Sequence, residues 1–258
     1  MWEEICKIVA RIVEIFYYPL HDWGMAIVML TVVFRLLILP LMLSQTRSSF
    51  KMQKIQPKMK ELQARYANDP VRMQQETQKM YAEAKFNPLA GCVPMLIQMP
   101  IFIALFQVLR NIQNYLPEYS TFTFYNIIPN LLATPADKMA EGIVPFIPYA
   151  ILIIIFVGAT FLPMILQQRN SSDPKQRNQM YMMAVFMGLM MLFVSWGSPA
   201  GVLLFWGVSG ILATITQQVY MHILRKREAE EEQEIIEVAP VKVEVERKVK
   251  KKRPTKKR

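Results

Sequence analysis

The chain is poor in the groups that carry chemistry inside a membrane. It has only two histidines and two cysteines in 258 residues, and Cys6 and Cys92 share no metal-ligand spacing, which argues against a metal site or a disulfide. No Asp or Glu falls in any long apolar run, so the carboxylate relays typical of ion-coupled transporters are missing, and no inverted repeat is visible. No nucleotide-binding motif is present to bring in ATP. The N-terminus has no basic start, apolar stretch and small-residue cleavage site in succession, so the first apolar run is expected to stay in the mature chain.

What is abundant is apolar surface: 53% of residues are hydrophobic although the net charge is +10. The fold class this implies is all-α, a polytopic membrane protein. Five apolar segments can be drawn, at about 24–43, 89–109, 146–166, 180–196 and 201–221. Each is near the roughly 20 residues that a hydrocarbon core of about 30 Å requires of a helix. Pro40, Pro94, Pro100, Pro148 and Pro163 interrupt them, and kinks are expected where neighbours or water satisfy the freed carbonyls. Methionines crowd the fourth segment (Met180, Met182, Met183, Met187, Met190 and Met191). They read either as a soft surface for varied partners or as ordinary lipid-facing packing.

The exception in these runs is Arg35. A charge at a helix centre in the bilayer costs roughly 2.5–3.5 kcal/mol on translocon scales and about 10–17 in simulations of an isolated helix. With no acidic residue in the spans to neutralise it, Arg35 is expected to face a wet or polar cavity. Thr31 shares its face at i and i+4, Gln98 lies near the middle of the second span, and Trp206, Gly210, Thr214 and Gln217 follow one side of the fifth. Taken singly, the Thr and Gln residues also fit ordinary interhelical hydrogen bonds.

Orientation follows from the basic residues, which short loops retain on the cytoplasmic side. Segment 44–88 holds nine Lys and Arg, loop 112–145 only Lys138, loop 167–179 three, and the chain beyond Tyr220 thirteen. The alternation predicts an outer N-terminus and a cytoplasmic C-terminus. Before the first span, Ile5, Ile8, Val9, Ile12, Val13 and Phe16 form a helical stripe, with Glu3, Glu4, Lys7, Arg11 and Glu14 mostly opposite. Residues 1–22 therefore read as an amphipathic helix lying in the outer interface, with Pro19 turning the chain inward.

Two polar segments remain. In 44–88, Met52, Ile55, Met59, Leu62 and Tyr66, then Met73, Thr77, Met80 and Ala84, recur at heptad spacing on either side of Ala67-Asn68-Asp69-Pro70. This predicts a cytoplasmic antiparallel hairpin. Its basic first arm serves either as a topological anchor at lipid headgroups or as a docking arm. In 222–258 the acidic run from Glu228 to Glu237 precedes a stretch in which nine of the last twelve residues are Lys or Arg. The tail is expected to be disordered and basic. Anionic lipid, ribosomal RNA and plain solubility charge all fit it.

Three local sequences carry a family resemblance. They are Asn87-Pro88-Leu89-Ala90-Gly91-Cys92-Val93-Pro94-Met95-Leu96-Ile97-Gln98-Met99-Pro100-Ile101; the stretch from Arg35 through Pro40 and Ser44 to Gln56-Pro57-Lys58; and Ser198-Pro199-Ala200-Gly201-Val202-Leu203-Leu204-Phe205-Trp206-Gly207-Val208-Ser209 with Gln217-Gln218. Over roughly 15–225 the chain resembles the YidC-type membrane protein insertases, related to the Oxa and Alb proteins. Phe205 stands where that family often has Tyr, and Gly210 where Asn is common. The large extracytoplasmic domain of Gram-negative relatives has no counterpart here, which suggests the short form.

The resemblance implies a binding protein rather than an enzyme, without cofactor or metal. Its client-binding groove would be hydrophilic, open to the cytoplasm and lipid, closed outside, and centred on Arg35 with Thr31, Gln98, Trp206, Thr214 and Gln217. The implied partners are client membrane proteins, anionic lipid, the ribosome through the basic tail, and the Sec translocon and signal recognition particle pathway, with the protein acting as a monomer in the bacterial cell membrane. A passive channel or transporter is the alternative. A serine protease is suggested by Gly207-Val208-Ser209-Gly210, but His222 is thirteen residues further along one helix, about 20 Å away at about 1.5 Å per residue, and His21 sits at the outer interface.

Overall fold

The computed structural model describes residues 2–84, 93–168 and 174–238. The Asn87–Cys92 part of the motif above, Arg169 and the basic run 239–258 lie outside the described residues. Among the described residues the fold is all-α: ten helices and one isolated bridge, Phe124 to Ile128. Residues 1–221 form one compact unit, and 222–238 belong to a second.

Helix α1 (Trp2–Leu20) and α2 (Trp23–Leu37) are bent by 118° at the intervening break. The turn falls at His21, whose φ is +49°, two residues beyond the expected Pro19, which stays in the last turn of α1. Asp22 caps α2 by accepting from the Met25 N–H at 2.8 Å. Its other carboxylate oxygen accepts from the Tyr125 N–H at 2.7 Å, tying the loop that follows the second apolar run to the helix start. The expected single apolar stripe of α1 divides in two. Cys6, Val9, Ala10 and Val13 are buried in the main core shared with α2 and α5 (Val93–Arg110), whereas Ile5, Ile8 and Ile15 are exposed. Glu14, placed on the polar face by the sequence, is only 6% exposed. It follows Ala10 by four residues, so it lies beside the buried stripe, where Arg11 pairs with it at 2.8 Å and the Tyr119 hydroxyl approaches at 3.4 Å.

The first apolar run does not form one helix. α2 ends at Ile38 and α3 (Leu39–Arg65) begins there, running on as the first arm of the hairpin. Pro40 accounts for the break, because it has no N–H to offer the carbonyl of Leu36 four residues back. Instead the Ile38 N–H turns to the Leu36 and Phe34 carbonyls. Asp69 caps α4 (Pro70–Glu83) through the Arg72 N–H, and Thr77 meets Met59 at 3.8 Å across the arms, in the antiparallel register the heptads require.

Beyond α5 and the short α6 (Ile112–Tyr115), a loop leads to α7 (Pro135–Glu141), then α8 (Ile143–Gln168), α9 (Pro174–Trp196) and α10 (Ala200–Val238). Among the described residues α8 and α10 are long and apolar enough to cross a membrane, α1 and α2 meet that test as a bent pair, and 96–110 and 185–196 are shorter apolar helices. α10 continues through 222–238, which were expected to be disordered. Arg, Lys, Glu and Ala are strong helix formers, and Lys226 and Glu230 pair at i and i+4, so segregated charge did not prevent a helix there.

The end of the helices that carries the 116–134 loop is closed by packing. Tyr17 stacks on Trp23 at 4.2 Å, with Tyr119 and Phe122 against the same indole. The first N–H groups of α10, Ala200 and Gly201, donate to the loop carbonyls of Ala133 and Leu131 at 3.0 and 2.9 Å. Gly201 suits this close approach: a Cβ would lie 2.8 Å from the Leu109 Cδ1, which would have to move aside.

Candidate functional site

Arg35 occupies the last turn of α2, where a cation also complements the helix C-terminus. Its side chain reaches across to α10: Nε and Nη2 donate to the Ser209 hydroxyl at 2.8 and 2.5 Å, and Nη1 approaches Met42 Sδ at 3.5 Å. Arg35 is half-buried and Ser209 is 1% exposed. Among the described residues no carboxylate pairs with Arg35. The floor beside it is apolar, a cluster of Phe34, Ile38 and Met42 with Ile101 and Ala213 packed against it. An unneutralised guanidinium held by a single neutral hydroxyl keeps its full charge for any anionic group that comes within reach.

A second clasp joins α3 to α10. Arg47 of α3 donates to the Tyr220 hydroxyl of α10 at 2.7 Å, and the preceding residue, Thr46, returns its hydroxyl to the Met42 carbonyl one turn back. Ser209 and Tyr220 are eleven residues apart on α10, about 16 Å at about 1.5 Å per residue. Arg35 and Arg47 thus mark the two ends of a seam between α2–α3 and α10.

The other residues singled out by the sequence divide. Thr31 is fully buried and donates to the Ile27 carbonyl at 2.7 Å, and Thr214 does the same with Gly210 at 2.8 Å, so both hydroxyls are consumed within their own helices. Trp206 is half-buried in an aromatic joint, 4.6 Å from Phe102 of α5 and 5.4 Å from Phe156 of α8. Gln98 and Gln217 are half-exposed, and neither makes a side-chain hydrogen bond among the described residues. Gly210 contacts α8, since a Cβ on it would stand 2.9 Å from that of Ala159. Glycine here serves close helix packing, and no polar side chain is available at this position. Ser209 is the partner that sequence reasoning missed as a site residue, having weighed it only as a nucleophile. Its hydroxyl is engaged by a cation, and no base accompanies it. In α9, Met182, Met187 and Met190 are exposed.

The comparisons with known proteins agree with one another. The family model described as the 60Kd inner membrane protein matches residues 15–229. The membrane protein insertase YidC of Treponema denticola is 31% identical over 229 residues, covering 85% of this chain and 38% of that protein. Its counterpart in Aquifex aeolicus is 36% identical over 226 residues, covering 85% and 40%, and that of Endomicrobium trichonymphae is 35% identical over 219 residues, covering 83% and 39%. The chain therefore spans about two-fifths of the length of these curated relatives. A crystal structure of an active YidC insertase with its first transmembrane domain resolved aligns with a TM-score of 0.62 at 24% identity, covering 83% of this chain and 46% of that one. At that identity the likeness speaks to the fold.

Proposed function

The chain belongs to the 60Kd inner membrane protein family, and from that premise we propose that it is a membrane protein insertase and chaperone that helps small or nascent membrane proteins enter and fold in the bilayer. The observation that carries this reading is Arg35, a guanidinium on an apolar helix with a neutral partner and no acid beside it. The seam from Arg35 to Arg47, with Gln98 and Gln217 unpartnered, is the lining of a hydrophilic groove open to the cytoplasm, and the packed aromatic loop closes its outer end. Five spans, an outer N-terminus and a cytoplasmic C-terminus follow from the apolar runs and the placement of Lys and Arg. The setting is the bacterial cell membrane.

The work is binding rather than chemistry, and the protein is not an enzyme. Water in the groove and the Arg35 charge lower the cost of bringing a client's short, acidic tail partway across. The client's apolar helix then leaves sideways into lipid, a transfer favoured by about 25 cal/mol per Å2 of apolar surface. The α3–α4 hairpin is a docking arm for clients, and the basic run 239–258 holds anionic lipid or the ribosome; delivery by the signal recognition particle pathway or the Sec translocon is compatible with both.

The function is tested by reconstitution. Liposomes containing the purified protein are expected to protect a single-span client from added protease, while empty liposomes do not. Steady ion conductance in a planar bilayer without client protection would instead establish the channel reading.

A further inference from the structure

One side of α5 carries a stripe that the groove does not use. Phe102 and Ile103, Phe106, Arg110, and then Gln113 in α6 follow one another at three- and four-residue spacing. Two open cavities lie end to end along it. The inner one, about 450 Å3, is walled by Phe102, Ile103 and Phe106 of α5 and by Phe193, Val194 and Trp196 of α9. The outer one, about 470 Å3, is walled by Arg110, Asn111, Gln113, Asn114 and Thr134. They adjoin at two places. The Arg110 guanidinium carbon lies 5.0 Å over the Phe106 ring, and the neighbours Ser198 and Pro199 line the inner and outer cavities respectively.

The outer cavity, which Leu109, Ile112, Leu132 and Pro199 also line, has exposed donors to spare. Among the described residues Arg110 has no acidic partner, and the amides of Gln113 and Asn114 make no side-chain hydrogen bond. Asn111 is tied to the Gln107 carbonyl, and the Thr134 hydroxyl to Asp137. Arg110 ends the apolar run of the second span on its outer side, and Trp196 closes α9 beside it, as aromatic side chains do at a headgroup boundary. From Phe102 to Arg110 the helix rises about 12 Å, close to half of a hydrocarbon core of about 30 Å.

We propose that the two cavities together hold one anionic phospholipid of the outer leaflet, its phosphate on Arg110 with Gln113 and Asn114, and one acyl chain descending between α5 and α9 along Phe106 and Phe102. A guanidinium without a carboxylate pairs with a phosphodiester by paired hydrogen bonds and favours a headgroup with no ammonium of its own to compete for that phosphate, and the apolar cleft directly beneath it fits the chain that such a headgroup carries. An apolar client helix would fill the cleft but leave the cation and the free amides unanswered. The inference rests on the reading of 1–221 as a membrane-embedded unit and is independent of insertion activity.

The test uses the full-length protein in phosphatidylcholine vesicles containing phosphatidylglycerol with a photoactivatable acyl chain. Labelled peptides are expected from 102–113 and 193–198. Arg110→Gln should lower that labelling about tenfold, the scale of one lost charged hydrogen bond. Gln113→Leu, which keeps the cation, should lower it less, and Arg11→Gln, which alters another outer cation, should leave it unchanged. Equal labelling in Arg110→Gln and wild type, equal labelling by a phosphatidylcholine probe with the same chain, or loss of the label when an apolar client helix is added would each overturn the lipid site. Retention of the protein in carbonate-washed vesicles with no label on 102–113 would overturn the site alone. Release by carbonate would overturn the membrane reading beneath it.

Discussion

Arg35 and Ser209, 174 residues apart in sequence, are joined by two hydrogen bonds from one guanidinium to one hydroxyl. The bond fixes the cation in place without neutralising it. A carboxylate at 209 would quench the field that Arg35 offers, and an alanine would leave the guanidinium without its acceptor while preserving its charge. Ser209→Ala is therefore expected to lower thermal stability by about 1–3 kcal/mol, the cost of an unmade charged hydrogen bond. It should still insert acidic-tailed clients, which Arg35→Ala should not. Thermal unfolding in detergent, paired with client protection in liposomes, separates the two effects.

Close packing of α8 on α10 depends on Gly210. Gly210→Ala puts a Cβ 2.9 Å from that of Ala159, and overpacking of this kind costs about 1–3 kcal/mol. Adding Ala159→Gly to the same chain should restore most of the loss. A double-mutant cycle of thermal unfolding checks this, and additive losses would show that the two positions are not in contact.

Asp22 holds both the start of α2 and the loop at Tyr125. Asp22→Ala removes the acceptor of the Met25 and Tyr125 N–H groups, and loss of the cap alone is worth about 1–2 kcal/mol. Amide hydrogen exchange should accelerate at 22–25 and 122–128 together, because one carboxylate serves both.

The α7 cap is expected to respond to acid. The Thr134 hydroxyl and N–H both donate to the Asp137 carboxylate, at 2.7 and 3.0 Å, and hold it below the usual carboxylate range. A depressed native pKa means that the cap's contribution is fully present above the unfolded value and is lost as pH falls through the folded one. Protection factors at 135–141, taken relative to the intrinsic exchange rate at each pH, should therefore fall on acidification below the ordinary Asp range, and Asp137→Asn should abolish that dependence.

Much of the architecture could be read from the sequence because its strongest signals are local. Arg35 stands out as the one charge in an apolar run, the hairpin follows from heptad spacing around Asn68-Asp69-Pro70, and the all-α class follows from the apolar segments. What could not be read is who meets whom across the chain. Thr31 shares a helix face with Arg35, yet its short hydroxyl is satisfied by its own backbone, while the long arginine side chain reaches a different helix. Ser209 sits in a small-residue stretch that looks the same whether it packs, reacts or accepts a cation. Pro40 announced a kink in one span, whereas the structure makes it the start of α3, and the charge pattern of 222–238 concealed its high helix propensity.

In the proposed function it is the Arg35 charge, not merely its bulk or its hydrogen bonds, that assists the passage of an acidic client tail. The most direct measurement is protease protection of a single-span client with an acidic tail, added to liposomes containing wild type, Arg35→Lys or Arg35→Ala, beside a client with a neutral tail. Wild type and Arg35→Lys are expected to protect the acidic-tailed client and Arg35→Ala is not, while the neutral-tailed client is far less affected. Equal protection of both clients by all three proteins would contradict that expectation.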